Sequence, residues 1–258
     1  MKFLASLSST LFTAVVIAAP ALAQPSKATE TLRIGYQKYG SADLVYVANQ
    51  PPAPAAEAIV VPKDSPLKSV ADLKGKKIAL NKGSNVHYLL VKALQRSGVK
   101  YTDVQTVFLP PADARAAFER GAVDAWVIWD PFLAAAEKQL GARVLADGKG
   151  LVSNHQFYLA SRGYAQRKQE VVRAIVDELA KLDRWAEKSP KEVAQLLAPQ
   201  IGLDVAIAEV SAQRFAYGIQ PISAPVAAEQ QKIADTFAEL KLIPKPIRIA
   251  DALPGAAR

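Results

Sequence analysis

The spacing of hydrophobic and polar positions changes character several times along the chain. An apolar run from about Leu11 to Ala19 follows the basic Lys2, breaks at Pro20 and leads into Ala21-Leu22-Ala23. The run is well short of the roughly 18 to 20 apolar residues needed to cross a bilayer, and the small-x-small tripeptide has the form of a signal-peptidase site. Residues 1–23 are therefore expected to be a cleaved signal peptide with Gln24 as the first mature residue, and no later stretch has the pattern of a membrane span. Leu32-Arg33-Ile34-Gly35-Tyr36 reads as a strand, Leu44-Val45-Tyr46-Val47 as a second and Ala58-Ile59-Val60-Val61 as a third, with the extended Pro51-Pro52-Ala53-Pro54 before the third.

From Lys77 strands and helices alternate, which predicts a parallel sheet with helices on its faces. Strands are expected at 77–80, 104–108, 123–129 and 143–145. In the first intervening helix Val86, Leu89, Leu90, Ala93 and Leu94 share one face, and Gly98 stands where the helix should stop. A strand at 156–160 precedes a mainly helical remainder with two apolar stripes. Val171, Val172, Ile175, Leu179, Leu182 and Trp185 form one, and Ile233, Phe237 and Leu240 the other; both are expected to face a core. The first two strands are separated only by Gln37 to Asp43, short of the roughly 10 to 12 residues of a parallel crossover. Either they form a hairpin, or a segment the architecture ordinarily contains is missing.

Composition narrows the function. The 258 residues are 50% hydrophobic, enough for one large domain or two small lobes. The absence of cysteine removes disulfides, thiolate metal sites, a cysteine nucleophile and lipid attachment through a cysteine at the cleavage site. The net charge of +8 comes from scattered Lys and Arg with no basic run interleaved with aromatics, which argues against nucleic acid. The two histidines, His87 and His155, are not in metal-ligand spacing, and no Gly-x-Ser-x-Gly elbow, Walker or dinucleotide glycine signature occurs. No cofactor and no enzymatic activity are expected.

The most informative local sequence is Ile78-Ala79-Leu80-Asn81-Lys82-Gly83-Ser84-Asn85-Val86, a strand, a glycine turn and a helix start. A helix amino terminus offers unpaired N–H groups and a partial positive charge, so such a turn holds an anion through its backbone. Ser84 acting only as a helix cap is an equally good reading from the turn alone. Val127-Ile128-Trp129-Asp130-Pro131 is a second strand-to-helix turn, in which Asp130 can cap a helix beginning at Pro131 and Trp129 is either an apolar wall or a core residue. In an open parallel sheet, ligands bind beyond the carboxyl ends of the strands, where both turns lie.

These residues resemble the aliphatic-sulfonate-binding proteins of ABC importers, within the larger group of thiamine-precursor and nitrate binders. The likeness is carried by Leu32 to Lys38, Ala79 to Tyr88, Trp126 to Phe132, Ser153 to Tyr158 and Glu229 to Asp235, and it covers nearly the whole mature chain. It implies a type II periplasmic binding protein: two α/β lobes with a small organic sulfonate between them, delivered to the membrane permease of an ABC importer by a periplasmic monomer. By resemblance the ligand contacts are Gln37, Asn81, Gly83, Ser84, Asn85, Trp129 and Asp130. Residues 24–74 and 156–258 would form the first lobe and 75–155 the second. After Gly40 the chain departs from the pattern, passing directly to Ser41-Ala42-Asp43-Leu44, and more than one βαβ unit of roughly 30 residues is missing. The first lobe is therefore expected to be truncated, with weak or absent affinity and low stability. A desulfinase-like enzyme of the same fold and a non-functional internally deleted binding protein are the alternatives; the first conflicts with the lack of cysteine.

Overall fold

The computed structural model describes residues 43–253. The expected signal peptide, the strand at Leu32–Tyr36 and Gln37 lie outside them. The described chain forms seven strands, β1 (Leu44–Asn49), β2 (Glu57–Val61), β3 (Lys77–Leu80), β4 (Gln105–Phe108), β5 (Ala125–Trp129), β6 (Arg143–Asp147) and β7 (Phe157–Ser161). Its α-helices are α1 (Asn85–Arg96), α2 (Pro111–Glu119), α3 (Phe132–Leu140), α4 (Arg162–Arg167), α5 (Gln169–Lys188), α6 (Pro190–Ile201), α7 (Val205–Arg214) and α8 (Ala224–Glu239). No described helix is by itself long and apolar enough to cross a membrane.

Strands β2 to β6 make one sheet in the order β4-β3-β5-β2-β6. β3 runs parallel to β4 and β5, whereas β2 is antiparallel to β5 and β6, so the sheet expected to be parallel is mixed. Alternation along each strand builds two apolar layers. Ile59, Val61, Ile78, Leu80 and Val127 pack with Leu89, Leu90 and Leu94 of α1 on one face. Ala58, Val60, Ala79, Trp126 and Ile128 pack with Phe118 of α2 and Leu133 of α3 on the other. The α1 face read from the sequence is thus the core face, and its five apolar residues are at most 1% exposed. The helix ends at Arg96 with Ser97 as its C-cap, before Gly98 with φ of 70°.

The lobe boundary expected at residues 74 and 75 is corrected by β2. All five of its residues are buried, which requires partners on both edges and cover on both faces, and it gets them between β5 and β6. Residues 57–74 therefore belong to the larger sheet, and Leu73 enters its core.

The smaller sheet pairs only β1 with β7 among the described residues, in antiparallel register from Leu44 opposite Ser161 to Asn49 opposite Phe157. Helix α5 shows the consequence. Its stripe was expected to face a core, yet no apolar residue of α5 is fully buried, and Leu182 and Trp185 are 58% and 37% exposed. Twenty helical residues span about 30 Å, whereas two strands offer a surface only about 10 Å wide. On α8, by contrast, Phe237 is buried.

The chain crosses between the sheets twice, and the crossings are tied together. Gln50 N–H donates to Gln156 O at 2.9 Å, Ala53 N–H to Ser153 O at 3.0 Å, and Asn154 Nδ2 to Ala53 O at 2.9 Å.

Candidate functional site

In the order β4-β3-β5, the connection from β3 leads to one neighbour and the next connection returns across β3 to the other. α1 and α2 accordingly pack on opposite faces, and the crevice between the carboxyl ends of β3 and β5 is a topological switch point. The turn at residues 81–84 and the turn after Trp129 stand at those two strand ends, so Asn81, Gly83, Ser84 and Asn85 come together on one rim and Trp129 lies at the end of the other strand.

Ser84 occupies the N-cap position of α1, but its hydroxyl donates to Asn81 O at 2.7 Å and does not cap the helix. The reading of Ser84 as a helix cap is thereby removed, and the first-turn N–H groups take no side-chain acceptor. Gly83 has φ of 74°, left-handed backbone that a glycine adopts without strain. Its N–H donates to Nδ1 of His87 at 3.0 Å, and Nε2 of His87 lies 2.7 Å from the Tyr101 hydroxyl. Since Nδ1 accepts, Nε2 carries the proton. His87 is fully buried among Tyr101, Phe108 and Phe237. Burial, helped by the charge of Lys82, lowers its pKa to about 4. Lys82 itself is exposed and stands 5.3 Å from the centre of the Phe108 ring.

The amide of Asn85 turns toward the sheet. Its Nδ2 donates to Oε2 of Glu57 at 2.7 Å and to Oδ1 of Asn154 at 3.1 Å. Glu57 is fully buried, and its Oε1 has no hydrogen-bond partner. Because β2 is antiparallel to β5, the amino end of β2 lies beside the carboxyl end of β5, and Glu57 is paired with Trp129. Neither Glu57 nor Asn154 was singled out from sequence. The available signals were an acid opening an otherwise apolar strand, Ala56-Glu57-Ala58-Ile59, and an asparagine beside the chain crossing.

Trp129 is half-buried, packs against both apolar layers and meets Phe132 edge-on with 6.5 Å between ring centres. Asp130 serves α3: its Oδ1 accepts from Ala134 N–H at 2.9 Å and lies 3.5 Å from Nη1 of Arg214. The helix begins at Phe132, one residue later than expected. Burial raises the Asp130 carboxyl to about 6, with Arg214 and the Ala134 N–H pulling the other way. Among the described residues no group of three or more His, Asp or Glu could hold a metal ion. A depression of about 310 Å³ lined by Gly75, Lys77, Gln105, Gly121 and Asp124 lies at the amino ends of the strands, away from this rim.

A family profile described as NMT1/THI5 like matches residues 37–193, more than half of the chain. The chain belongs to the NMT1/THI5-like family. An aliphatic sulfonates-binding protein of Escherichia coli K12 is 45% identical over 215 residues, covering 83% of this chain and 67% of its own length. Among solved structures, the periplasmic aliphatic sulphonate binding protein SsuA from Escherichia coli superposes with a TM-score of 0.78 at 44% identity, over 83% of this chain and 74% of that one. The alkanesulfonate-binding protein SsuA from Xanthomonas axonopodis pv. citri, bound to MOPS, gives 0.77 at 42% identity with the same coverages. The fold of this NMT1/THI5-like chain is that of an SsuA-like periplasmic binding protein.

Proposed function

We propose that this chain is the solute-binding component of an ABC importer, capturing an aliphatic sulfonate in the periplasm and passing it to a membrane permease. In this reading residues 1–23 direct export and are removed, the mature protein acts as a monomer, and it engages no nucleic acid. The observation that carries the proposal is the uncapped amino terminus of α1 at the switch point, flanked by Asn81, Ser84 and Asn85. A sulfonate is ionised at every physiological pH, so neutral donors and a helix terminus suit it, and Trp129 supplies an apolar surface for its alkyl part. Relatives named for sulfonate binding, one of them holding the sulfonate MOPS, support the same ligand class. Gln37 would contribute from outside the described residues, and Asp130 acts by fixing the start of α3.

A smaller sheet of two described strands offers little surface to close over the ligand, so the expected affinity is weak. Calorimetric titration of the mature protein with ethanesulfonate should reach saturation at millimolar concentration, and Asn85→Ala should weaken it at least tenfold. Equal binding by wild type and Asn85→Ala would remove the Asn85 side chain from the site. A melting-temperature rise of several degrees at micromolar ethanesulfonate would contradict the expectation of weak affinity.

A further inference from the structure

The anion site of the proposed function has a carboxyl group built into its back. Glu57 is 0% exposed, one of its oxygens is engaged by Asn85 at 2.7 Å, and the other has no partner. Asn85 is the first residue of α1, so the carboxyl lies one side chain away from the helix terminus that would receive the ligand. The same amide reaches Asn154, which sits on the chain crossing with φ of 50°, left-handed backbone that costs a non-glycine residue energy. A buried polar atom without a partner carries a desolvation penalty, and β2 does not require a carboxyl, since its other four residues are Ala, Ile, Val and Val.

We propose that Glu57 sets the charge selectivity of this site: it holds Asn85 as a neutral acid, and the oxyanion binds only while that acid keeps its proton. The inference rests on the anion-binding reading above and adds a thermodynamic coupling between ligand uptake and proton uptake. An ionised Glu57 would place a poorly screened negative charge behind the helix terminus and repel the ligand. Burial pushes the carboxyl up to about 8, and the hydrogen bond from Asn85 opposes this without cancelling it.

The titratable and charged groups on the surrounding elements are Lys82 and His87 at the start of α1, Asp130 after β5, Asp147 on β6, and His155 beside Asn154. Asp130 is paired with Arg214, Asp147 with Lys149, and His155 with Glu229. Lys82 lies over Phe108, and His87 is held between Gly83 and Tyr101. None of them holds Glu57 as a carboxylate through an ion pair.

The test is calorimetric titration of the mature chain with ethanesulfonate from pH 6.5 to 9.5, at each pH in two buffers of different ionisation enthalpy. A sulfonate does not titrate in this range, so any pH dependence belongs to the protein. The dissociation constant should rise about 10- to 100-fold across the range, with close to one proton taken up per ligand bound at the alkaline end. Glu57→Gln keeps an amide that can engage Asn85 but cannot ionise; its profile should be flat and its proton uptake zero. A flat wild-type profile, or a Glu57→Gln profile as steep as the wild type, overturns the coupling and leaves the anion site standing. Absence of binding to wild type at every pH overturns the anion site, and this inference with it. Should Glu57→Gln not fold, carbon-13 titration of the Glu57 carboxyl in wild type decides: saturating ethanesulfonate should move its midpoint upward, and an unmoved midpoint overturns the proposal.

Discussion

His87 accepts from Gly83 N–H on one ring nitrogen and donates to the Tyr101 hydroxyl from the other, so only the neutral ring satisfies both. Its folded-state pKa of about 4 lies below the ordinary value of 6.5, and the unfolded chain therefore binds the additional proton. The contribution is present above pH 6.5 and is lost as the pH falls through 4. Glu57 and Asp130, whose carboxyls are raised, gain stability over the same interval in both proteins, so the His87 contribution is read as a difference: in thermal melts the stability gap between wild type and His87→Gln should shrink by about 3 kcal/mol from pH 6.5 to 4. Gly83 tests the turn separately. A Cβ there meets no atom within 4 Å, so Gly83→Ala carries the cost of a φ of 74° alone, about 1 kcal/mol by denaturant titration. Ser84 and Asn85 were legible from the strand, glycine turn and helix start that contain them. Glu57 was not, because its partner is 28 positions away, and the Asn154 partner of Asn85 is 69 away.

Two helices with comparable apolar stripes differ in what the sheets give them to cover. α1 lies on a five-stranded sheet, and Leu90 is fully buried; α5 belongs with two described strands, and Leu182 is 58% exposed. Leu90→Ala should therefore cost about 2–5 kcal/mol in urea unfolding, while Leu182→Ala should stay within about 0.5 kcal/mol. A large loss for Leu182→Ala would mean that its stripe is covered in solution. Helical periodicity reported that α5 has an apolar face, and the face is there. Whether a face is buried depends on the width of the surface opposite, and a helix window carries no information about that. Strand direction was equally invisible. The apolar run of β2 signalled burial on both faces, but burial is the same for a parallel and an antiparallel neighbour, and only hydrogen-bond register distinguishes them.

For the whole molecule, the larger sheet with its two apolar layers is complete enough to fix the α1 rim, whereas the smaller sheet is narrow. Ligand capture between lobes needs two surfaces, so a chimera that receives from an SsuA relative the segment expected after Gly40 should lower the dissociation constant for ethanesulfonate at least tenfold in calorimetry. An unchanged constant would mean that the α1 rim alone sets affinity. By itself the sequence determined the α/β alternation from Lys77, the core face of α1, the two turns at strand ends and the family resemblance, because each is written in residues close together along the chain. Tertiary structure alone decided that β2 enters the larger sheet in reverse, which brings Glu57 beside Trp129 and beneath Asn85. It also decided that the stripe of α5 stays partly in solvent. Those outcomes depend on which distant segment supplies the neighbouring hydrogen-bond edge and how much surface it offers, and local periodicity does not encode either.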